Sequence, residues 1–314
     1  MKIAINGSGH LAHPDLDRIV DDVVTSEQLG FTGYWLAQTG LADALGVLGI
    51  AGRETSRIEL GTAVVPTWTR HPQVMAAGAL TAQAASKGRV VLGIGLAHQP
   101  AVEDGYGMTW ERPIKHMSEY LSILESLLAT GSARFRGEVW SLAADSVPIT
   151  TDPPVVMLAA LGEQMLKIAG RRTGGTILWC VGPRTLERQI VPVINDAADA
   201  AGRPAPRVVC SLPVCVTDTP EPMREAVGKF LALYATLPSY RAMLDIEGVH
   251  GVEDISLIGD EATVRAGLEE IAAAGATDFS ATVVPDADGT GRSIDLLRAY
   301  AGTGGPETTD TAAI

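Results

Sequence analysis

Basic clusters, cysteine pairs and long apolar runs are all missing from this 314-residue chain. Lys and Arg number 24 against 37 Asp and Glu, a formal net charge of -13, and no Lys/Arg block offsets it. A field of that sign repels nucleic acid and anionic membranes, so neither is an expected partner; a local basic patch for a small anion stays open. Three cysteines occur, Cys180, Cys210 and Cys215, with no C-x-x-C pair. No disulfide framework follows, and buried, reduced thiols are the expectation. No stretch reaches the roughly 20 apolar residues of a membrane span. The opening MKIAINGSGHLAHPDLD runs into a polar glycine stretch too early for a signal peptide. The expectation is a soluble, cytoplasmic protein. Neither a Ser/His/Asp triad, nor paired catalytic carboxylates, nor a P-loop is apparent.

What the chain does have is 46% apolar residues, enough for a substantial core. Short apolar runs alternate with longer stretches of helical spacing. Strands are expected at 2–6, 33–37, 58–65, 89–96, 155–160, 175–181, 207–217 and 278–285. Each is followed by a helix: 15–29, 42–54, Pro72 to near Gly88, 113–129, from 163, from Pro183, 221–235 and 292–301, with one more at 261–274. Runs apolar on both faces mean parallel strands covered by helices. Eight such units predict α/β architecture, a (β/α)8 TIM barrel with insertions, with a doubly wound open sheet as the rival. Residues 131–153 read as a hairpin-like insertion and 238–258 as a polar excursion. Residues 1–302 are expected to form one domain, and 303–314 have the composition of a disordered tail.

In a barrel, chemistry sits where strands end. The G-x-G-x-x-A of Gly7, Gly9 and Ala12 is a weak dinucleotide signal. His13-Pro14 separates it from the next helix, and Gln38 stands where an acid should bind a ribose. His10 and His13 lack a third ligand nearby, so no metal is expected. Gly93 and Gly95 let either a flat ligand or the protein's own backbone approach. His98 follows the fourth strand and can titrate near neutrality. Gly162 precedes a helix whose free N–H groups suit an anion. In PTWTRHP (66–72), Arg70 and His71 either favour an anion or, for His71, cap the helix that Pro72 opens.

The segments GTAVVPTWTRHP, VVLGIGLAHQPAVEDGYG, VVMLAALGEQMLKIAGRRTGGTILWCVGPRTL and LIGDEATVRAGLEEIAAAGATDF resemble the luciferase-like oxidoreductases, most of all the branch dependent on coenzyme F-420, a deazaflavin. The likeness runs in order from residue 1 to about 302. It implies a luciferase-like barrel, a homodimer, and a cofactor lying at the strand C-termini, with FMN as the alternative. It places a non-proline cis bond at Ala63–Val64, backing the cofactor ring. It puts Asn6 at the floor, Gln38 and Thr39 at the ring edge, and Ala97, His98 and Gln99 along the cofactor. Gly162, Glu163 and Gln164 would face the phosphate, and Trp68 and Trp179 would wall the substrate pocket. His98 and Gln38 are the catalytic residues it suggests. The expected activity is hydride transfer to an activated C=C or C=N bond of a small molecule. The rivals are an FMN-dependent monooxygenase and a non-catalytic ligand-binding barrel. Where some relatives acting on sugar phosphates carry Asp-His, this chain reads AQTG, which speaks against that substrate.

Overall fold

The computed structural model describes residues 1–303, so nearly all of the expected tail lies outside the described residues. The strands are β1 (Lys2–Asn6), β2 (Gly33–Leu36), β3 (Glu59–Thr62), β4 (Val65–Pro66), β5 (Val90–Gly95), β6 (Ser132–Arg136), β7 (Ser141–Asp145), β8 (Val155–Leu158), β9 (Gly175–Trp179), β10 (Arg207–Val216), β11 (Leu257–Gly259) and β12 (Asp278–Val283). The helices are α1 (Leu16–Gln28), α2 (Ala44–Glu54), α3 (Pro72–Ala85), α4 (Pro113–Thr130), α5 (Glu163–Arg172), α6 (Pro183–Thr185), α7 (Val191–Asp199), α8 (Pro220–Thr236), α9 (Pro238–Glu247), α10 (Glu261–Ala273) and α11 (Gly291–Thr303).

Eight parallel strands close a ring in the order β1-β2-β3-β5-β8-β9-β10-β12 and back to β1. This is the expected (β/α)8 barrel. Local chemistry starts and stops its helices. Asp15 caps α1 by accepting from Arg18 N at 3.1 Å, Pro72 opens α3, and Gly131, at φ 72°, ends α4 in the left-handed conformation that glycine adopts freely. The apolar stripes of these helices cover the ring, with Ile19, Val23, Leu48, Met75 and Leu124 all buried.

Inside the ring a separate cluster of Ala4, Trp35, Val91, Met157, Ile177 and Val209 fills the barrel, with Ala63 and Val64 half-buried on it. Glycines make room for it. A Cβ on Gly61 would lie 2.1 Å from the Trp35 ring, and one on Gly93 would lie 1.9 Å from the Thr62 carbonyl. The atoms that approach Gly93 and Gly95 closely are therefore the protein's own. At the N-terminal face Arg207 crosses the barrel, pairing with Glu59 at 2.8 Å and with Asp278 at 2.6 Å. That face of such barrels serves stability.

Two expectations need correction. The run 58–65 is not one strand: it breaks after Thr62 and resumes at Val65, with Ala63–Val64 cis between. Residues 238–258 are no mere polar excursion. They hold α9, whose Tyr240, Met243, Leu244 and Glu247 are buried, and β11, which pairs with the end of β10. Residues 132–145 form an antiparallel hairpin, β6–β7. Its turn is tied to α4, where Glu119 accepts from the N–H groups of Glu138, Val139 and Trp140 at 2.8–3.0 Å.

Candidate active site

The C-terminal ends of the ring strands carry a connected polar floor. Asn6, the last residue of β1, donates from Nδ2 to Ser211 Oγ at 3.1 Å, and Ser211 donates to the Ser280 carbonyl at 2.6 Å. Its other amide atom accepts from Ser8 N at 3.0 Å, which fixes the turn after β1. That turn is a 3-10 segment, Gly7–Ala12, and α1 begins only at Leu16. The glycine motif therefore does not open a helix as a dinucleotide site requires. His10 pairs with Asp22 at 3.2 Å.

Beside this floor the β3–β4 break is locked from both sides. Ala63 N donates to Leu36 O at 2.9 Å, and Gln38 N donates to Val64 O at 3.1 Å. The Gln38 carboxamide is used locally. Its Nε2 donates to the carbonyls of Gly40 and Ala42, both at 2.9 Å, and its Oε1 accepts from Ala44 N at 2.8 Å. Both amide protons thus hold the 39–44 turn; Thr39 is exposed.

The PTWTRHP segment resolves into separate structural tasks. Arg70 pairs with Asp43, the N-cap of α2. His71 caps α3, its Nδ1 accepting from Gln73 N at 3.2 Å. One nitrogen of each side chain is thus taken by a helix start, while Arg70 Nη1 is buried without a partner. Trp68 stacks on His116 of α4, centroids 3.8 Å apart, and Trp110 lies 5.6 Å from it. His116 is buried, and its Nε2 meets Thr67 Oγ1 at 3.0 Å. Burial lowers its pKa to about 4, against a smaller upward pull from Glu119.

His98 lies three residues beyond β5, directly after Ala97, which has φ 58°. A left-handed φ in a residue with a Cβ costs about 1–2 kcal/mol and commonly marks function. The His98 ring meets Tyr240 at 5.5 Å and Tyr234 at 5.9 Å, both edge-on. Trp179, the last residue of β9, meets Tyr234 at 6.2 Å. Burial lowers the His98 pKa, favouring neutral imidazole near pH 7.

Helix N-termini at this face differ in what already fills them. Asp43, His71 and Asp260 cap α2, α3 and α10 from their own side chains. The buried Glu247 occupies the start of α6, accepting from Thr185 N at 2.5 Å. α5 has no side-chain cap, and it opens on exposed Gly162, where even an added Cβ would touch nothing within 4 Å. Glu163 is drawn aside to Lys167. Free N–H groups at α5 suit a phosphate, and the half-buried Ala63 and Val64 suit the face of a ring. The residues present thus fit a flavin-type cofactor. The exposed side chain of Gln99 donates to Glu103 at 3.1 Å, and Gln164 is exposed.

Comparison with known proteins places the chain in a family. A luciferase-like monooxygenase profile covers residues 2–278. The chain belongs to the luciferase-like monooxygenase family. An uncharacterised protein of Mycobacterium tuberculosis is 30% identical over 248 residues, 74% of this chain and 73% of that protein. A putative coenzyme F420-dependent oxidoreductase of the same organism is 27% identical over 235 residues, 68% of this chain and 66% of that one. Among solved structures, the F420-dependent tetrahydromethanopterin reductase of Methanopyrus kandleri superposes with TM-score 0.78 at 21% identity, covering 95% of this chain and 96% of that one. A type II Baeyer–Villiger monooxygenase of Pseudomonas putida, in complex with FMN, gives 0.76 at 16%, covering 96% and 97%. These structural likenesses concern the fold.

Within this luciferase-like frame, Asn6, Gln38, Thr39, Ala63, Val64, Ala97, His98, Gln99, Gly162, Glu163, Gln164 and Trp179 all stand at or just beyond strand ends of one barrel face. Trp68 stands there too, but turned onto α4. Sequence reasoning missed Tyr240 because it read 238–258 as polar, and it placed Tyr234 in the helix at 221–235 without singling out its ring. The spacing Tyr240, Met243, Leu244, Glu247 was the available sign of a buried helix face. Among the described residues no helix is long and apolar enough to cross a membrane.

Proposed function

We propose that this luciferase-like protein is a coenzyme F-420-dependent oxidoreductase acting as a reductase on a small organic substrate. The carrying observation is the common placement of His98, the Ala63–Val64 face and the uncapped α5 start on one barrel mouth. Relatives named as F420-dependent support the choice of cofactor. When bound, a reduced deazaflavin supplies a hydride from its carbon 5 to an activated C=C or C=N bond. Asn6, held by Ser8 and Ser211, keeps the floor rigid. The α5 N–H groups with Gly162, Glu163 and Gln164 at their mouth hold the phosphate. Ala97 to Gln99 line the cofactor, and His98 delivers the proton from its charged form. Because burial lowers the His98 pKa, turnover rises as pH falls from 8 toward 6.

His98→Ala is expected to lower turnover about 10²–10⁴-fold and to abolish that pH dependence. Unchanged turnover with weaker cofactor binding would reject the acid role. Fluorescence titration of the purified protein with oxidised F-420, and separately with FMN, tests the cofactor. Micromolar binding of F-420 alone is expected. Binding of FMN alone would favour the monooxygenase reading, for which the FMN-bound structural neighbour speaks. No binding of either would leave a ligand-binding barrel.

The reading includes a homodimer. A groove of about 580 Å³ between α2 and α3 is floored by Gly46, Gly49 and Gly78, and Ile50 and Val74 stand 46% and 56% exposed beside it. Sedimentation is expected to give twice the 32.8 kDa chain mass, and Val74→Glu is expected to shift it to monomer.

A further inference from the structure

Among the described residues, seven buried side-chain nitrogen and oxygen atoms have no hydrogen-bond partner, and four of them belong to one nest of side chains. They are Trp68 Nε1, Arg70 Nη1, His116 Nδ1 and Trp140 Nε1. Three parts of the chain bring them together. The segment after β4 supplies Trp68, which stacks on His116, and Arg70, whose carbonyl accepts from the Tyr120 hydroxyl at 2.8 Å. Helix α4 supplies His116 and Tyr120. The β6–β7 hairpin supplies Trp140, whose ring lies 5.3 Å from His116 and 5.5 Å from Tyr120. We propose that this nest is an internal water site, in which ordered water joins the inserted hairpin to the segment that leaves the barrel after β4.

The donor and acceptor roles select water over other guests. All four atoms are shut off from bulk solvent, and a buried polar group left unpaired costs more than a hydrogen bond gains. A buried water needs several polar partners, which the nest offers. Thr67 Oγ1 lies 3.3 Å from the Gly95 carbonyl, to which a hydroxyl can only donate. Its oxygen therefore accepts from His116 Nε2–H at 3.0 Å. In a neutral imidazole that leaves Nδ1 as an acceptor, and burial keeps His116 neutral near pH 7. Both indoles and the guanidinium can only donate. The guest must then accept from N–H groups and also donate to Nδ1. Water does both. A halide or a carboxylate cannot donate, and Arg70 already has Asp43 as its counter-charge. The walls are fixed independently of the guest. Glu119, one turn beyond His116 on α4, accepts from Trp140 N at 2.8 Å, and Thr67 N donates to the Gly95 carbonyl at 2.9 Å. Nothing in this site depends on the cofactor.

High-resolution crystal structures of the full chain, grown once from sodium chloride and once from sodium bromide, test this. A water peak is expected within hydrogen-bond distance of His116 Nδ1 and of at least one of the three donors, with no anomalous bromide signal in the nest. In solution, nitrogen NMR of the isotope-labelled protein is expected to show His116 as the Nε2–H tautomer. The indole N–H signals of Trp68 and Trp140, assigned from Trp68→Phe and Trp140→Phe, are expected to show NOEs to water. Tyr120→Phe removes the neighbouring hydroxyl and is expected to leave those NOEs in place; their loss would assign them to the phenol and count against water. Should Tyr120→Phe fold poorly, the two crystals decide. Direct protein partners for all four atoms, a bromide peak among them, an Nδ1–H tautomer, or indoles without water NOEs would each overturn the proposal.

Discussion

Replacing His116 by phenylalanine should flatten the acid side of the stability curve. His116 is 1% exposed, stacked on Trp68, near-parallel to Tyr120 at 5.9 Å, and joined to Thr67 Oγ1 at 3.0 Å. Burial lowers its pKa from 6.5 in the unfolded chain to about 4 in the fold. The sign follows from proton uptake. Between those values the unfolded chain holds the extra proton and the native state does not, so stability is lost as pH falls through the window. Linkage gives a loss of ~1.4 kcal/mol by pH 5.5 and ~2.6 kcal/mol by pH 4.5 for this one group. Local relaxation and water entry reduce that, so a difference of about 1–2 kcal/mol at pH 4.5 is expected. Phenylalanine keeps the stacked ring, loses the Thr67 hydrogen bond at a cost of about 1 kcal/mol, and cannot titrate. Urea midpoints of both proteins at pH 7.0, 5.5 and 4.5 decide the matter, because other acid-sensitive groups cancel in the difference. Wild type should lead at pH 7.0 and lose that lead on acidification. A gap that stays constant, or widens as pH falls, would refute the account of His116 as a neutral, desolvated imidazole.

Other substitutions probe the barrel itself. Gly93→Ala forces a methyl to within 1.9 Å of the Thr62 carbonyl and 2.4 Å of Ile177, and is expected to cost about 1–3 kcal/mol in denaturant titration through overpacking. Arg207→Met strands Glu59 and the buried Asp278 without their shared cation; a loss of about 2–3 kcal/mol is expected. Since that trio lies on the opposite barrel face, turnover per folded molecule should not change, and a large fall in kcat would mean that the two ends of the barrel are coupled.

The alternation of apolar runs and amphipathic stretches was enough to place all eight ring strands, because side-chain periodicity is a local property that survives without coordinates. Pro72 marked the start of α3 for the same local reason. Where the sequence misled, the cause was also local. GTAVV reads as an unbroken strand, since nothing in its composition signals the break at Ala63–Val64; only the resemblance to relatives placed it. The stretch 238–258 read as a polar excursion, although α9 buries Tyr240 and Met243 and β11 pairs with the end of β10.

The site divides in the same way. Its positions at strand ends were legible from topology alone, since a parallel barrel gathers all such ends on one face. Which side chains meet there was not. His98 and Tyr234 stand far apart in the chain, and Arg207 reaches Glu59 across 148 positions. Likewise Arg70 and His71 look like anion binders in a row, until Asp43 and the start of α3 claim them. Periodicity tells each residue whether to face inward. Only closure of the ring, which sets distances between segments that share no local pattern, decides what it finds on arriving.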